Sequence, residues 1–372
     1  MIRSSPSLQN TIFVLFFSFL AISGLYFARE FLIPIAISAL LAMLFVPLSR
    51  WFETRGINRV FASFFCVLIF LAVVGAVIGL LSWQARGISD DLSEILIRIN
   101  RIADEIREFI ARNIGISAER QKQWMSKQTS GSGSTLSTAG LILGSIMGII
   151  VDFVLVIVYL FLFIYYRSHL KKFILMLVPP SASIETEKII LDGGKVAQKY
   201  LSGVSTMIVV LWVMYSIGFS IVGVKSALFF AILCGLLEIL PFIGNLTGTS
   251  IAVLGVLSQG GSNEMVAGVI LTYLLIQFVQ TYFLEPLIVG SEVNINPLFT
   301  IIVIVFMEII WGIAGMILAI PMLGIVKIIC DHVTPLKPYG FLIGRARKDN
   351  NLKMITILQQ KLGLKKEGAS KK

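Results

Sequence analysis

Residues 226–258 read SALFFAILCGLLEILPFIGNLTGTSIAVLGVLS, thirty-three positions in which Glu238 is the single charged side chain. About 20 apolar residues cross the ~30 Å of a bilayer's hydrocarbon, so this stretch exceeds one span. It is also interrupted, by Pro241, Gly244 and Asn245. Outward from it, apolar runs recur at 11–28, 31–48, 60–82, 138–165, 201–223, 265–284 and 298–330. The fold class read from them is all-α: a polytopic transmembrane helical bundle of about eight membrane segments.

Composition agrees. Hydrophobic residues make up 56% and charged residues 14% of the 372, with a mean hydropathy of +0.89. An ordinary soluble domain carries about 25% charged residues. The first run exceeds the apolar core of a secretory signal and shows no small-x-small cleavage site, so it is expected to be a retained helix. Cys66, Cys234 and Cys330 are far apart and read as packing residues, with no spacing for a metal or redox centre. Gly193-Gly194-Lys195-Val196 lacks the first glycine and the hydroxyl of a phosphate-binding loop. No cofactor or nucleic-acid partner is expected, and active transport would draw on an ion gradient. His169 and His332 lie at helix edges with no assembled nucleophile, which argues against an enzyme.

The formal charge of +10 is unevenly placed. Arg50, Arg55 and Arg59 follow the second run, and Arg167, Lys171, Lys172, Lys188, Lys195 and Lys199 follow the fourth. Segment 83–136 balances eight basic against seven acidic residues. Under the positive-inside rule both termini face the cytoplasm. The chain then divides into helices one to three (1–82), an extracytoplasmic amphipathic helix and linker (83–136), helix four (137–165), a basic cytoplasmic segment (166–199), segments five to eight (200–330) and a basic cytoplasmic tail (331–372).

Within 83–136, Ile88, Leu92, Ile95, Ile99, Ile102, Ile106 and Phe109 repeat every 3.5 residues. Such a seam packs either on its own membrane domain or on the same helix of neighbouring subunits, the second giving a homo-oligomer. The tail places Leu352, Ile355, Leu358 and Leu362 on one face among basic residues. It either lies on anionic membrane lipid or stays solvated.

An ionisable side chain in hydrocarbon costs several kcal/mol unless it meets protein or water, so each is a functional candidate. Asp152, Glu238 and Glu308 qualify, each roughly 15–20 Å along its helix from the end of its run. They are the candidates for a transport pathway or ion coupling, with a small molecule or ion as substrate. Gly140, Gly144 and Gly148 precede Asp152 at steps of four, a stripe that lets helices approach and is expected to face protein. Asp152 then either exchanges a proton or cation, or is a neutral group bonded to a neighbouring helix. Gln277 and Gln280 are candidate polar lining, or simply interhelical hydrogen-bonders.

Glu238 and Glu308 precede the two interruptions: Pro241, Gly244 and Asn245 in the sixth run, and Gly312, Gly315 and Pro321 in the eighth. Offset by 70 residues, the Glu-Ile pairs and an Ile (243 and 313) coincide as a weak internal repeat. The long runs are either kinked, tilted helices or re-entrant hairpins, whose broken backbone must line protein or a watery cavity.

Pro241-Phe-Ile-Gly244, Pro286-Leu-Ile-Val-Gly290, Asn296-Pro297-Leu298 and Gly312-Ile-Ala-Gly315-Met-Ile-Leu-Ala-Ile-Pro321 follow in an order that resembles the autoinducer-2 exporter family of bacterial permease-like proteins, over about residues 28–328. The resemblance implies an oligomeric, multi-pass inner-membrane exporter of the furanone signal autoinducer-2, with a place in quorum sensing, and for some members sodium/proton exchange. Asn245 stands where the family often has proline, and Met307-Glu308 where it has a small pair.

Overall fold

In the computed structural model of the protein, residues 8–89, 135–241, 243–289 and 295–345 are described. The predicted seam of Leu92, Ile95, Ile99, Ile102, Ile106 and Phe109 and the tail beyond 345 lie outside them. The described residues form ten α-helices: α1 (Leu8–Phe27), α2 (Arg29–Thr54), α3 (Arg59–Ser89), α4 (Thr135–Met176), α5 (Ser183–Val222), α6 (Ala227–Leu237), α7 (Ile243–Ser258), α8 (Asn263–Val279), α9 (Pro297–His332) and α10 (Lys337–Ile343). Helix α8 continues as a π-helix through Gln280–Val289. The β-pairing among these residues is one isolated bridge, Ile295 with Gly344.

Helix α5 is the element around which the others gather. Its Leu211, Tyr215 and Phe219 meet Phe230 and Cys234 of α6, Ala252 and Val256 of α7 and Val269 and Ile276 of α8 in one buried cluster. Ala197, further down the same helix, packs with Leu40 of α2 and with Trp311 and Leu318 of α9. A third cluster joins α2, α3 and α4 through Ala42, Cys66, Val67, Leu160 and Ile164. Their outward faces stay apolar and exposed, as lipid-facing surface must.

The sixth run is a hairpin, not a tilted helix. Helices α6 and α7 have 11 and 16 residues, each short of a span. A Cβ at Gly255 would overlap Phe230, one at Gly248 would touch Cys234, and one at Gly244 would overlap the Leu237 carbonyl. These pairs run in opposite directions along the two arms, so the helices are antiparallel and the glycines let them close.

The eighth run reverses as well. Gly312 takes φ 60°, ψ −142° inside α9, a conformation in the glycine-only region of the backbone map. Ile304 packs against Met316 and Ala319, residues that a straight helix would hold about 18–22 Å further along its axis. The N–H of Asn296 donates to the Ile343 carbonyl (2.8 Å). A straight 36-residue helix would be about 54 Å long, more than the eleven residues after it can retrace at ~3.3–3.6 Å each. Arms 297–311 and 313–332 therefore lie side by side.

Helices α4 and α5, with 42 and 40 residues, outrun the bilayer by about 30 Å. Their far ends are clamped by Lys171 and Glu187 (2.5 Å). Arg167–Glu53 (2.6 Å) and Lys327–Asp331 (2.5 Å) lie at the same basic face. There His332 of α9 approaches Asp192 of α5 at 4.0 Å.

Candidate functional site

Glu238 is the residue on which α6 ends, because the turn leading to Pro241 cannot continue a helix. Its Oε1 accepts a hydrogen bond from Gln280 Nε2 at 2.6 Å. Gln280 is 1% exposed and opens the π-helical stretch; the wider turn is of a kind often found at functional positions. A carboxylate only accepts, so the glutamine amide presents its nitrogen and turns its oxygen elsewhere. That oxygen is buried with no partner. Asn245, in the first turn of α7, approaches the same carboxyl, and its Oδ1 is likewise buried and unpaired.

Gln277 donates to Thr281 Oγ1 (3.3 Å) and leaves a third buried amide oxygen, Oε1, without a donor. Buried polar atoms are ordinarily satisfied, and leaving one unpaired costs about 1–3 kcal/mol. A carboxylate with surplus amide oxygens can bind a hard cation, a proton or a solute rich in hydrogen-bond donors. It is unsuited to a soft metal.

The neighbours that sequence reasoning missed are aromatic and hydroxyl groups. Tyr215 of α5 is 1% exposed in the apolar cluster that joins α5 to α6, α7 and α8, and Tyr273 of α8 reaches Thr249 of α7. Trp212 Nε1 donates to the Ile232 carbonyl (3.1 Å), holding α6 on α5. Tyr215 and Trp212 lie in an apolar run that gives no local cue; Thr249 and Tyr273 are too ordinary to single out.

The other two acids are elsewhere. Asp152 and Glu308 are exposed on the surface of the single chain, and neither has an ion pair or side-chain hydrogen bond among the described residues. Of the glycine stripe, Gly148 has open space beside it in the single chain: a Cβ there would meet nothing within 4 Å. Gly140 and Gly144 belong to the same helix, α4.

The backbone interruptions are narrower than their sequence suggested. Pro241 lies in the first turn, but Gly244 and Asn245 are helical in α7. Gly312 alone has non-helical torsions in α9. Gly315 is there for closeness, since a Cβ would overlap the Met307 carbonyl across the hairpin. Pro321 does not break the chain; it is buried within the helical second arm. The hairpin tip is tied down by Trp311, whose Nε1 donates to the Leu25 carbonyl (3.0 Å), a group left free where α1 ends.

Comparison with known proteins finds that a family model described as AI-2E family transporter matches residues 14–334. YrrI of Bacillus subtilis is 22% identical over 321 residues, covering 82% of this chain and 87% of its own. YueF of the same organism is 22% identical over 336 residues, 85% of this chain and 89% of its own. YhhT of Escherichia coli K12 is 22% identical over 339 residues, 89% and 93%. All three carry the provisional name of transport protein.

Proposed function

The chain belongs to the AI-2E transporter family, and from that premise we propose that it is a secondary transporter exporting a small polar solute of the autoinducer-2 kind, coupled to protons or sodium through Glu238. The observation that carries this reading is the 2.6 Å contact between Glu238 and the fully buried Gln280, with the amide oxygens of Gln280 and of the adjacent Asn245 both lacking donors. An arrangement with surplus acceptors is completed by a cation, a proton or a hydroxylated solute, and exchanging these is what coupling requires. The broken backbone beside it supports the same reading, because such breaks are tolerated at membrane depth where they line a pathway.

The protein is multi-pass. Its basic face, carrying Arg50, Arg55, Arg59, Arg167, Lys171 and Lys172, supports a bacterial inner-membrane orientation with both termini cytoplasmic. Glu238→Gln measures the assignment: in everted vesicles, flux driven by imposed pH or sodium gradients drops to the background of empty vesicles, while the folded protein is still recovered. Flux that keeps its gradient dependence in that variant removes Glu238 from the mechanism.

A second reading is favoured by Asp152 and Glu308. A carboxyl facing lipid near mid-bilayer costs about 2.5–3.5 kcal/mol or more, so both are better accommodated at contacts between copies of the chain or on a water-filled axis they enclose. That arrangement is a homo-oligomer and admits a passive pore. Planar-bilayer recording separates the two, since a pore gives unitary currents and a transporter's turnover does not.

A further inference from the structure

A groove of about 500 Å³ opens where the α2–α3 turn meets α4, lined by Asn58, Arg59, Val60, Tyr165, Tyr166 and His169. It is remote in sequence and fold from the Glu238 cluster and plays no part in the transport reading. We propose that this groove binds the phosphate headgroup of an anionic phospholipid.

The chemistry of its wall is one-sided. Every polar residue lining it can donate a hydrogen bond, and no carboxylate lines it. Asn58 Oδ1 already accepts from the Val60 N–H (3.4 Å), which leaves the amide NH₂ as the available group. The hydroxyls of Tyr165 and Tyr166 and the ring of His169 make no hydrogen bond to protein among the described residues; the rings of Tyr166 and His169 meet edge to face at 6.4 Å. The acid paired with Arg59 is Glu53, at 3.9 Å. It is held more closely by Arg167 (2.6 Å), which also donates to Ser49 (3.0 Å). Two guanidinium groups against one carboxylate leave a net positive charge at the groove, and Arg59 remains 39% exposed. A guanidinium with several neutral donors is the usual recognition set for a phosphate.

Position selects a lipid over a free phosphate. Arg59 begins α3, and Arg167 lies one residue beyond Tyr166 on α4, so the groove is at the end of both spans, the level of the headgroups. Toward the hydrocarbon, α3 leaves Phe61, Phe64 and Leu68 exposed, and α4 leaves Val158 and Leu162 exposed. A headgroup seated in the groove would lay its acyl chains along these side chains. The volume falls in the range of small-ligand pockets.

The full-length protein, purified in detergent and stripped of lipid, is titrated with phosphatidylglycerol, phosphatidylcholine or glycerol 3-phosphate, with thermal unfolding and native mass spectrometry as readouts. Phosphatidylglycerol is expected to raise the unfolding temperature and to be retained at least about tenfold better than phosphatidylcholine, with glycerol 3-phosphate inert. Arg59→Gln is expected to lose most of that preference. Because Arg59 also touches Glu53, His169→Gln serves as a second variant that breaks no protein hydrogen bond, and a several-fold loss is expected there too. Equal retention of the two lipids, undiminished retention in the folded His169→Gln and Arg59→Gln proteins, or stabilisation by glycerol 3-phosphate equal to that by the lipid would each overturn the assignment.

Discussion

At the scale of single residues, Gln280 is as informative as Glu238. Its nitrogen is committed to the carboxylate at 2.6 Å, and its oxygen has no donor. Replacing it with leucine keeps the volume, removes that hydrogen bond and leaves the carboxylate without its closest donor. The folded protein is expected to lose about 1–3 kcal/mol of stability, and half-maximal flux is expected to need a different pH or sodium concentration than in wild type. Gradient titrations in vesicles check both at once, since a purely structural glutamine would lower yield without moving the titration. An acid in an apolar run draws the eye to Glu238 from sequence alone. Its pairing with Gln280, 42 residues away, does not, because nothing local records which face of α8 meets the hairpin. The same limit holds at Asp152: a stripe of Gly140, Gly144 and Gly148 says that something can come close, not what does.

At the scale of elements, the two hairpins rest on glycines used in two different ways. Gly312 is needed for torsion, since φ 60°, ψ −142° is outside the range of side-chain-bearing residues, yet a Cβ there would meet no neighbour within 4 Å. Gly312→Ala should therefore lower stability by about 1–3 kcal/mol through backbone strain alone. Gly315 is needed for space, because a Cβ would strike the Met307 carbonyl of the opposite arm. Gly315→Val is expected to be worse than Gly312→Ala, pushing the arms apart and lowering recovery of monodisperse protein on size exclusion. Equal effects from the two substitutions would contradict that division of roles. Runs of thirty-three apolar residues announced that something other than one span was present. Whether they bent or reversed was not legible, because in the eighth run the reversal uses a single glycine torsion that a hydropathy pattern does not register. Pro321, the louder signal, lies inside a continuous helical arm.

At the scale of the whole molecule, two reversals change where every later segment lies. The turn at 259–262 joins α7 to α8, the last helix that crosses before residue 295. The main-chain bond from Asn296 to Ile343 (2.8 Å) then holds both ends of the final run together. Residues 263 and 298 must consequently lie on opposite sides of the membrane, and residues 298 and 341 on the same side. Two full spans in place of the hairpins would leave the chain's end on the same side as its start, so counting segments cannot distinguish the arrangements. Labelling can. The native cysteines Cys66, Cys234 and Cys330 are buried and unpaired, which favours their replacement by alanine. Single cysteines at the exposed positions Asn263, Leu298 and Phe341 are then probed with a membrane-impermeant maleimide. Asn263→Cys is expected to react in intact cells, and Leu298→Cys and Phe341→Cys only in everted vesicles. If Leu298→Cys and Phe341→Cys react from opposite sides, α9 crosses the bilayer. Its arms could not then pack Ile304 on Ala319, and Glu308 would belong to a through-going helix rather than to a helical hairpin arm entering from the basic face. If they react together, the hairpins enter from opposite faces and meet α5 from either side. That geometry lets one end of the pathway open while the other remains covered, as alternating access requires.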